Sequence, residues 1–451
     1  MEETDRIVEE LEGVLPGRVS REVGPYLKDW WPLTWFSDEA LGSAMAAVKP
    51  SNVDQVSAVV NFASSHEVPL YVHGGGSSVT GSSIPSKGIV VDMQGMNQVL
   101  DLDETNKTVT VQAGAKLKLV EAKLGEKGFS LFQYPQSLEL VTIGGYISTL
   151  GTGQYSSLYG GVEDSVLRLE VVLPTGEVIW TRKRGTPRSS VGPDLSKLFL
   201  GAEGSLGIVT AAELKIHRLP NHQWNAAFTL PSFESGVAAA KLLMELDLKP
   251  AVCRLYNEVE AAFQFDDNRP IMLLIYHARS SKLLGDIKEE VSAQLQGSAA
   301  APADSALVDR WLEKRFNFRD DIEAVKKMGY TLETIEVASK WSRVVEMYAD
   351  IMITLSNIKG VAGVGAHLSH VYDQGACLYL TILFEPNTDL YWTIWEAMAK
   401  ITSTHDATIS HHHGVGILKR AYARNEVPVA LLKKLKQAFD PKGTMSPDRI
   451  P

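Results

Sequence analysis

Residues 69–81 read Pro-Leu-Tyr-Val-His-Gly-Gly-Gly-Ser-Ser-Val-Thr-Gly and say more about the fold than any other segment. An apolar strand runs into Gly74, Gly75 and Gly76, which can turn with positive φ and leave their amides open to a ligand. A Walker loop would continue with Lys and Ser or Thr, and a Rossmann turn would open a helix directly off the glycines. Here a second strand follows at 89–93. The pattern therefore predicts a pyrophosphate-containing cofactor on neither of those folds.

The composition narrows the class of protein. At 451 residues the chain is long enough for two or three domains, and 45% hydrophobic and 22% charged residues are ordinary for a globular protein. A net charge of −10 disfavours nucleic-acid binding, and it disfavours adsorption to anionic lipid by charge alone. Cys253 and Cys377 show neither disulfide nor zinc spacing, so we expect a reducing compartment.

The two ends of the chain show no targeting pattern. Residues 1–12 are acidic and amphipathic, which predicts no signal peptide, and the last residues do not form the peroxisomal Ser-Lys-Leu address. No stretch approaches about 18 uninterrupted apolar residues. We therefore expect a cytoplasmic homodimer without a transmembrane segment, and leave peripheral membrane contact open.

The succession of patterns divides the chain into four segments and predicts an α+β fold. Residues 1–40 form a helical start whose Trp-rich stretch, 30–35, we expect to be a packing plug. Short β-rich runs over 41–220 predict a cofactor-binding domain. Longer helices with a few strands over 221–400 predict a substrate-binding cap, and 401–451 a helical segment that completes the cofactor site.

Two further segments repeat the glycine and hydroxyl pattern, at 135–153 and at 201–208. Three such loops in one β-rich domain suit a single long, multipolar ligand that lies across all of them. The residues expected to contact this cofactor are Val72, His73, Gly74, Gly75, Gly76, Ser77, Ser78, Pro135, Gln136, Ser137, Leu138, Thr142, Gly144, Gly145, Ser148, Thr149, Gly151, Glu203, Gly204, Gly207 and Ile208.

The spacing of the three loops resembles the flavin-binding domain of the vanillyl-alcohol oxidase / p-cresol methylhydroxylase superfamily. The resemblance implies FAD, with its pyrophosphate in the loop matching 72–78 and its ribityl and isoalloxazine parts along 135–153 and 202–208. Members with covalently attached flavin often place a His just after the glycine pair. This chain has Ser77 there, so we predict non-covalent FAD. His73 is expected to pack within the loop.

Motifs beyond residue 150 narrow the resemblance. The segments 159–166, 187–194, 369–379 and 410–416 are similar to those of alkyl-dihydroxyacetone-phosphate synthases, also called alkylglycerone-phosphate synthases. This resemblance implies that the acyl group of acyl-dihydroxyacetone phosphate is exchanged for a fatty alcohol without net redox change. It further implies a transient covalent bond from flavin N5 to the dihydroxyacetone carbon. The expected partner is therefore a small molecule, phosphorylated or lipid-like.

The candidate catalytic groups are three adjacent histidines and one tyrosine. Successive side chains in extended structure alternate faces, so we do not expect His411, His412 and His413 to share one metal, and we predict no metal site. A general-base, phosphate-binding or flavin-facing role suits one or two of them, although exposed loop histidines remain the alternative. Tyr379 matches the proton-transferring tyrosine of the synthases. An unperturbed phenol has a pKa of about 10, so that role needs a cationic neighbour, or else Tyr379 is a core residue.

Two arginines are candidates for substrate binding. Arg319 matches the phosphate-clamping arginine of the synthases, and Arg254 matches another arginine near their site. Guanidinium suits phosphate because its fork donates two parallel hydrogen bonds. Two aspartates follow Arg319, so a helix-surface ion pair is the alternative for that residue.

Two rival functions stay open beside the synthase. Related flavin-dependent D-2-hydroxyacid dehydrogenases read Gly-Glu-His-Gly at the histidine motif and bind a divalent metal there, where this chain has His412. A dehydrogenase or oxidase of D-lactate, glycolate or a polyol phosphate is the first rival. The second rival is a non-catalytic flavin-binding protein. Gln136 stands where the synthases have Asp, and the chain is shorter than the eukaryotic synthases, which favours a rival.

Overall fold

The computed structural model describes residues 2–37 and 41–449. Its helices are α1 (Glu2–Val14), α2 (Leu33–Phe36), α3 (Val53–His66), α4 (Leu117–Gly125), α5 (Ile143–Ser148), α6 (Ser156–Tyr159), α7 (Val162–Ser165), α8 (Phe233–Glu245), α9 (Glu258–Phe265), α10 (Ser281–Gly297), α11 (Ala306–Lys314), α12 (Phe318–Lys327), α13 (Trp341–Ser356), α14 (Thr388–Thr404) and α15 (Val429–Phe439). Its strands are β1 (Val19–Ser20), β2 (Ala46–Val48), β3 (Leu70–His73), β4 (Ile89–Asp92), β5 (Val99–Asp103), β6 (Thr108–Gln112), β7 (Phe129–Ser130), β8 (Val166–Val172), β9 (Val178–Trp180), β10 (Ile208–Lys215), β11 (His217–Arg218), β12 (His222–Thr229), β13 (Val252–Tyr256), β14 (Ile271–Ala278), β15 (Ala301–Ala303), β16 (Thr331–Lys340), β17 (Val361–Val371) and β18 (Gly375–Phe384).

The first glycine segment follows β3, the last strand in a small, largely parallel sheet with order β1-β2-β4-β3. All four residues of β4 are buried, as expected of a strand covered on both faces. Helix α3 packs nearby; it begins after Asn52, whose side chain accepts a hydrogen bond from the Gln55 amide. The glycines therefore emerge from the carboxyl end of a rigid, buried strand.

The far end of the chain closes this sheet. The Leu70 amide donates to the Thr444 carbonyl at 2.7 Å, and the Ser446 amide donates to the Leu70 carbonyl at 2.8 Å. Arg449 then donates to the Ser82 carbonyl at 2.9 Å. Residues 444–449 thus lie alongside the strand that carries the glycine loop, on the side away from β4.

The other two glycine segments lie against or lead into a five-stranded sheet with order β5-β6-β10-β8-β9. Strand β10 lies at its centre and starts directly after Gly207, so the third segment enters the sheet there. The second segment contains α5, which begins after Thr142, and the Thr142 hydroxyl accepts from the Gly145 amide. Both segments are therefore anchored on regular structure.

The remaining sheets are a two-stranded one, β11-β7, and a seven-stranded one with order β15-β12-β14-β13-β17-β18-β16, and the pairings in both are antiparallel. Helices α8, α13 and α14 contribute to the large apolar core packed against the seven-stranded sheet. The mixture of helix and sheet agrees with the predicted α+β class. No helix among the described residues is long and apolar enough to cross a membrane. The predicted domain boundaries stay predictions.

Candidate active site

A cavity of about 440 Å³ lies between the three glycine segments and the large sheet. We call the side formed by residues 74–78, 135–152 and 203–209 the glycine wall. We call the facing side, formed by Arg254, His367, His370, Tyr379, His412 and His413, the side-chain wall.

Close packing between loops makes the glycine wall possible. A Cβ on Gly75 would collide with the Leu140 carbonyl oxygen, and one on Gly74 would collide with the Thr142 hydroxyl. Gly76 has φ +63°, a conformation that other residues rarely adopt. The first two loops therefore touch through their backbones, which only glycine allows at these positions.

Glu203 ties the third loop to the histidine loop. Its carboxylate is buried and accepts from the Val415 amide at 2.7 Å and from the Gly416 amide at 3.0 Å. Burial raises the pKa of Glu203 to about 7, although these two amides oppose the shift. Glu203, a predicted cofactor contact, lines the cavity and also holds the loop opposite.

Most of the predicted cofactor contacts line the cavity. His73 does not: it is buried behind the loop, with its ring edge-on to Tyr26 at a centroid distance of 4.9 Å. This is the packing position expected for it. Leu138 is also outside the lining and belongs to the apolar core of the two smaller sheets.

The donor set of the glycine wall fits FAD. Backbone amides and the hydroxyls of Ser77, Ser78, Ser148 and Thr149 border the cavity, so an anionic pyrophosphate and a polyhydroxyl ribityl chain would both meet donors. Because the glycines at the loop contacts carry no Cβ, they leave room for the cofactor to approach the backbone amides. Ser77 offers a hydroxyl rather than an imidazole, and non-covalent attachment stays a prediction.

The histidine loop is organised by a buried acid that sequence reasoning missed. Glu336 on β16 is fully buried, and its Oε1 accepts from three successive backbone amides, those of His411 at 3.2 Å, His412 at 3.3 Å and His413 at 3.0 Å. Lys419 Nζ lies 2.6 Å from the other oxygen, Oε2. Burial alone would raise the pKa of Glu336, but His413 and Lys419 hold it well below its usual range. A buried anion therefore fixes the backbone of all three histidines.

His411 and His412 are neutral bases in a short hydrogen-bonded chain. Their Nδ1 atoms are 2.8 Å apart, and His411 Nε2 is 3.0 Å from the Tyr372 hydroxyl. Burial lowers the pKa of His411 to about 4 and that of His412 well below its usual range. His412 and His413 line the cavity, whereas His411 lies one layer behind, so the structure brings two of the three predicted histidines to the site.

His370 is turned toward the same histidines by a bulge in β17. Its φ is +50°, and the register with β18 shifts between Ser369 and Val371. Its Nδ1 lies 2.7 Å from the Ser156 hydroxyl, and burial lowers its pKa well below the usual value. One ring nitrogen each of His370, His411 and His412 lie within 4.8 Å of one another, which is close enough to hold one metal ion. The prediction of no metal stays untested.

Tyr379 is a neutral phenol. It is stacked on His367 with a centroid distance of 4.8 Å, and His413 approaches its ring edge-on at 5.7 Å. Burial raises the pKa of Tyr379, and the charges of Glu336 and Glu260 raise it further. Burial and these two acids therefore disfavour the phenolate form of Tyr379. The hydroxyl is suited to donating a hydrogen bond rather than accepting a proton.

Arg254 is held by an acid–imidazole pair. Its Nη2 lies 2.7 Å from His367 Nε2, and its Nε donates to the Tyr256 hydroxyl at 2.7 Å. His367 Nδ1 lies 2.8 Å from Glu260 Oε1. In the described part of the chain no carboxylate lies within ion-pair distance of Arg254, so its charge is left for a ligand in the cavity it lines.

The structure separates the second predicted arginine from the first. Arg319 is exposed on α12, with its guanidinium 5.2 Å from the centre of the Trp30 ring, and it is not among the residues that line the cavity. Arg315 lies there instead. Its guanidinium contacts the rings of Phe316 and Trp311 at 4.7 and 5.3 Å, and its buried Nε has no partner among the described residues.

The cavity ends in an apolar section between α9, α12 and the large sheet. Phe318, Ile322, Val325 and Leu332 line it together with two tryptophans. The prediction that residues 30–35 form a packing plug is right for Trp31, which is buried and donates to the Tyr391 hydroxyl at 2.7 Å. Trp30 and Trp35 pack against the apolar cluster of Ile322, Val325 and Leu332 and also border the cavity, so for them the prediction stays open.

The sequence carried weak signals for the residues that were missed. Glu336 is an acid inside an otherwise buried strand, which marks an internal polar contact. Arg315 is near the end of a helix with a strongly apolar side. Glu260 and His367 become neighbours only when α9 packs on β17, and no sequence pattern reports that pairing.

Fold and site together define the class of a flavoprotein, in which a glycine wall that fits FAD faces titratable side chains across one cavity. Residues 44–182 match the family model described as "FAD binding domain", and residues 219–450 match "FAD linked oxidases, C-terminal domain". The chain belongs to the FAD-linked oxidase family. FAD as the cofactor is thereby confirmed.

Curated relatives cover most of the chain. An uncharacterized FAD-linked oxidoreductase of Escherichia coli strain K12, YgcU, is 28% identical over 90% of this chain and 88% of its own length. The alkyldihydroxyacetonephosphate synthase of Dictyostelium discoideum is 27% identical over 89% of this chain and 72% of its own. The mitochondrial D-lactate dehydrogenase [cytochrome] 1 of Saccharomyces cerevisiae is 27% identical over 89% and 71%.

Solved structures show the same fold. An alkyldihydroxyacetonephosphate synthase superposes with a TM-score of 0.83 at 23% identity, covering 99% of this chain and 86% of that one. A p-cresol methylhydroxylase superposes with a TM-score of 0.80 at 16% identity, covering 100% and 97%. The resemblances stated from the sequence are confirmed. The cytoplasmic location and the homodimer stay predictions.

Proposed function

We propose that the protein is an FAD-dependent transferase of the alkylglycerone-phosphate synthase type, which exchanges the acyl group of acyl-dihydroxyacetone phosphate for a fatty alcohol. The observation that carries the proposal is the continuity of one cavity. It joins two arginines without acidic partners, a tyrosine–histidine cluster and an apolar section. The three parts suit a phosphate head, a reactive three-carbon unit and a hydrocarbon chain, respectively.

The arginines are proposed to bind the phosphate. Arg254 and Arg315 both line the cavity, and neither is within ion-pair distance of a carboxylate among the described residues. Two guanidinium groups in a partly dry pocket bind a doubly charged anion more strongly than the same groups in water. Arg319 lies beside Trp30 and outside the cavity lining, and it stays a candidate contact for the phosphate of the substrate.

Tyr379 and His412 are proposed to handle the protons. In the overall exchange the bond between the dihydroxyacetone carbon and the ester oxygen breaks, the fatty acid leaves as a carboxylate with that oxygen, and the alcohol oxygen forms the new ether bond to the same carbon. The alcohol proton must pass to a base, and His412, which borders the cavity and is kept unprotonated by its lowered pKa, is the group proposed to accept it. Tyr379 is suited to donate a hydrogen bond to the substrate carbonyl oxygen. FAD, when bound, supplies the flavin ring that the synthase reaction requires beside these groups.

The apolar section is proposed to hold the hydrocarbon chain. Trp30, Trp35, Phe318 and Ile322 border it, and burial of each methylene there is worth about 0.8 kcal/mol. A substrate such as D-lactate would leave this surface in contact with water. The section therefore favours a lipid-like substrate over a small hydroxyacid.

Anaerobic titration of the holoenzyme with palmitoyl-dihydroxyacetone phosphate tests the proposal. We expect loss of the oxidised flavin absorbance without an electron acceptor, and formation of an ether product with release of palmitate when hexadecanol is added. An unchanged spectrum and no ether product would contradict it. A Tyr379→Phe variant should lose most of the ether formation; if every flavin reaction is unchanged in that variant, a non-catalytic flavin-binding role becomes the better interpretation.

A dehydrogenase of a 2-hydroxyacid is the second candidate. The yeast D-lactate dehydrogenase supports it, as do the three ring nitrogens of His370, His411 and His412 that are close enough to hold a metal. Reduction of the flavin by D-lactate, glycolate or glycerol 3-phosphate, with turnover in the presence of a dye acceptor, would favour it. Loss of that turnover on chelation would assign the metal to the reaction.

A further inference from the structure

Three neighbouring strands of the large sheet carry cavity-lining residues in register. Strand β18 pairs with β16 on one side and with β17 on the other, so residues that lie opposite one another form rows across the sheet. The first row is Glu336, Tyr379 and His367, the second is Thr334, Thr381 and Gly365, and the third is Leu332, Leu383 and Gly363. Successive rows are two residues apart, so all three face the same side of the sheet.

This side of the sheet is the cavity side. All members of the three rows except Glu336 line the cavity, whereas the intervening residues of β18 are buried in the large apolar core. The rows change from titratable groups through hydroxyls to leucines. Leu332 and Leu383 belong to the same apolar cluster as Ile322. The polarity of the cavity floor therefore falls along the strands, from the reactive groups to the apolar section.

The spacing of the rows provides a length scale. A strand advances about 3.3 Å per residue, so Leu383 in the third row lies about 13 Å along β18 from Tyr379 in the first. An extended hydrocarbon chain advances about 1.3 Å per carbon, since its bonds of about 1.5 Å follow a zigzag. A chain that starts at the reactive groups and follows the strands therefore reaches the third row with about ten carbons.

Gly363 leaves the third row open at one end. A Cβ built on Gly363 would have no atom within 4 Å among residues 2–37 and 41–449, and the residue is only half-buried. One row earlier the space is filled, because a Cβ on Gly365 would lie 3.3 Å from the Cβ of Glu260 on α9. A side chain at position 363 would therefore project into open space where the third row meets the apolar section.

We propose that Gly363 is a specificity-determining residue, which lets the hydrocarbon chain of the substrate extend past the third row and so admits chains longer than about ten carbons. The ligand class is a long-chain amphiphile with an anionic head, whose chain lies along the strands. The inference rests on the proposed function in placing the head beside Arg254 and the reactive carbon beside Tyr379. It adds to that function the length of chain that the site accepts.

A series of alkyl phosphates tests the proposal without catalysis. Binding of hexyl, octyl, decyl, dodecyl and tetradecyl phosphate to the FAD-loaded protein is measured by calorimetry, below the concentration at which each ligand forms micelles. Burial of each added methylene should tighten binding about two- to fourfold, and in the wild type this gain should continue beyond decyl phosphate. An affinity that stops rising at decyl phosphate, that does not depend on chain length, or that is too weak to measure throughout would overturn the proposal.

Two substitutions at position 363 separate chain length from packing. Gly363→Leu should bind hexyl and octyl phosphate as tightly as the wild type and tetradecyl phosphate about tenfold or more weakly, because the leucine fills the space beyond the third row. Gly363→Ala is the matched control, since its methyl group has no atom of the described residues within 4 Å and should keep the wild-type profile. An equal loss at all chain lengths, or an unchanged profile in Gly363→Leu, would overturn the proposal.

A third variant decides the matter if Gly363→Leu does not fold or retain flavin. Leu383→Thr makes the third row polar beside Gly363, so the gain for each methylene beyond decyl phosphate should shrink to less than about twofold. An unchanged gain in Leu383→Thr would overturn the proposal.

Ether formation from decanol and from hexadecanol is measured separately, so that two failures are distinguishable. If the length profile of the alkyl phosphates is found but no ether forms, the inference stands and the reaction of the proposed function fails. If ether forms equally well from both alcohols in the wild type and in Gly363→Leu, the reaction stands and the inference fails.

Discussion

The glycine wall and the side-chain wall of the cavity are built in opposite ways. The glycine wall presents backbone and small hydroxyls, and its shape comes from loops packed so closely that a methyl group would collide with a neighbouring backbone. The side-chain wall presents imidazoles, guanidinium and a phenol, which are kept in place by buried acids. A cofactor that is always the same can be held by a rigid backbone, whereas a reaction needs groups that can change their protonation.

Three buried glutamates keep the side-chain wall in place. Glu203 accepts from the loop after the histidines, Glu336 from the histidine amides themselves, and Glu260 from His367. Each acid is supplied by a different element, namely a loop, β16 and α9. The side-chain wall is therefore held from three directions, and each can be tested separately.

The largest effect is expected from Lys419→Met, which leaves the Glu336 anion buried without its cation. Removing one member of a buried pair costs about 3–5 kcal/mol of stability. Since the pKa of Glu336 is depressed in the folded protein, its stabilisation is present above its unfolded pKa and is lost as the pH falls through the folded value. In the variant that pKa should rise, so the deficit measured by urea unfolding should shrink toward about pH 5.

A double variant provides the control for Lys419→Met. Glu336→Gln together with Lys419→Met removes both charges, so it should be more stable than Lys419→Met alone. If the double variant is as unstable as the sum of the two single changes, the two side chains do not act as a pair.

The second-largest effect is expected from Gly75→Ala in the glycine wall. The added methyl would run into the Leu140 carbonyl, so we expect a loss of about 3 kcal/mol and a lower ratio of flavin to protein after purification. Gly363→Ala is the matched control, because Gly363 also borders the cavity but a methyl group added there would have no atom within 4 Å among the described residues. Equal flavin content in the two variants would contradict the close packing of the loops.

The Glu203→Gln variant tests the comparison through the pH dependence of folding stability. The folded pKa of about 7 exceeds the ordinary glutamate pKa of 4.5, so the contribution of Glu203 is complete below about 4.5 and is lost as the pH rises through 7. Between about pH 4.5 and pH 8 the wild type should lose about 1 to 3 kcal/mol of stability relative to the variant. Parallel stability curves for the two proteins would show that Glu203 is not buried as described.

The smallest effects are expected from substituting two arginines, Arg315 in the cavity lining and Arg319 outside it. Arg315→Gln should weaken binding of inorganic phosphate by about tenfold, because it removes a charged donor from a partly buried site. Arg319→Gln should change it by less than about threefold, since an exposed charge is screened by solvent. Calorimetry on both variants measures this, and a larger effect at Arg319 would restore it as the phosphate clamp.

The parts that the sequence predicted are those built by short local patterns. A run such as Gly74 to Gly76 dictates its own conformation, so the glycine loops and a pyrophosphate-containing cofactor followed from the pattern, whereas FAD itself followed from the family resemblance. Arg319 shows the limit, since a break between α11 and α12 resets the helix phase and turns Arg315 toward the cavity instead. Tyr379 was found, but the rise of its pKa comes from burial and from the charges of Glu336 and Glu260, which are set by distant parts of the chain.

The strap formed by residues 444–449 has a consequence for how the protein is made. Leu70, at the start of the strand that leads into the cofactor loop, exchanges backbone hydrogen bonds with residues some 370 positions later. Contacts of such sequence separation form slowly and late. During synthesis the nascent chain would hold an unfinished sheet edge until these residues leave the ribosome, so stable flavin uptake is expected only after translation has passed them.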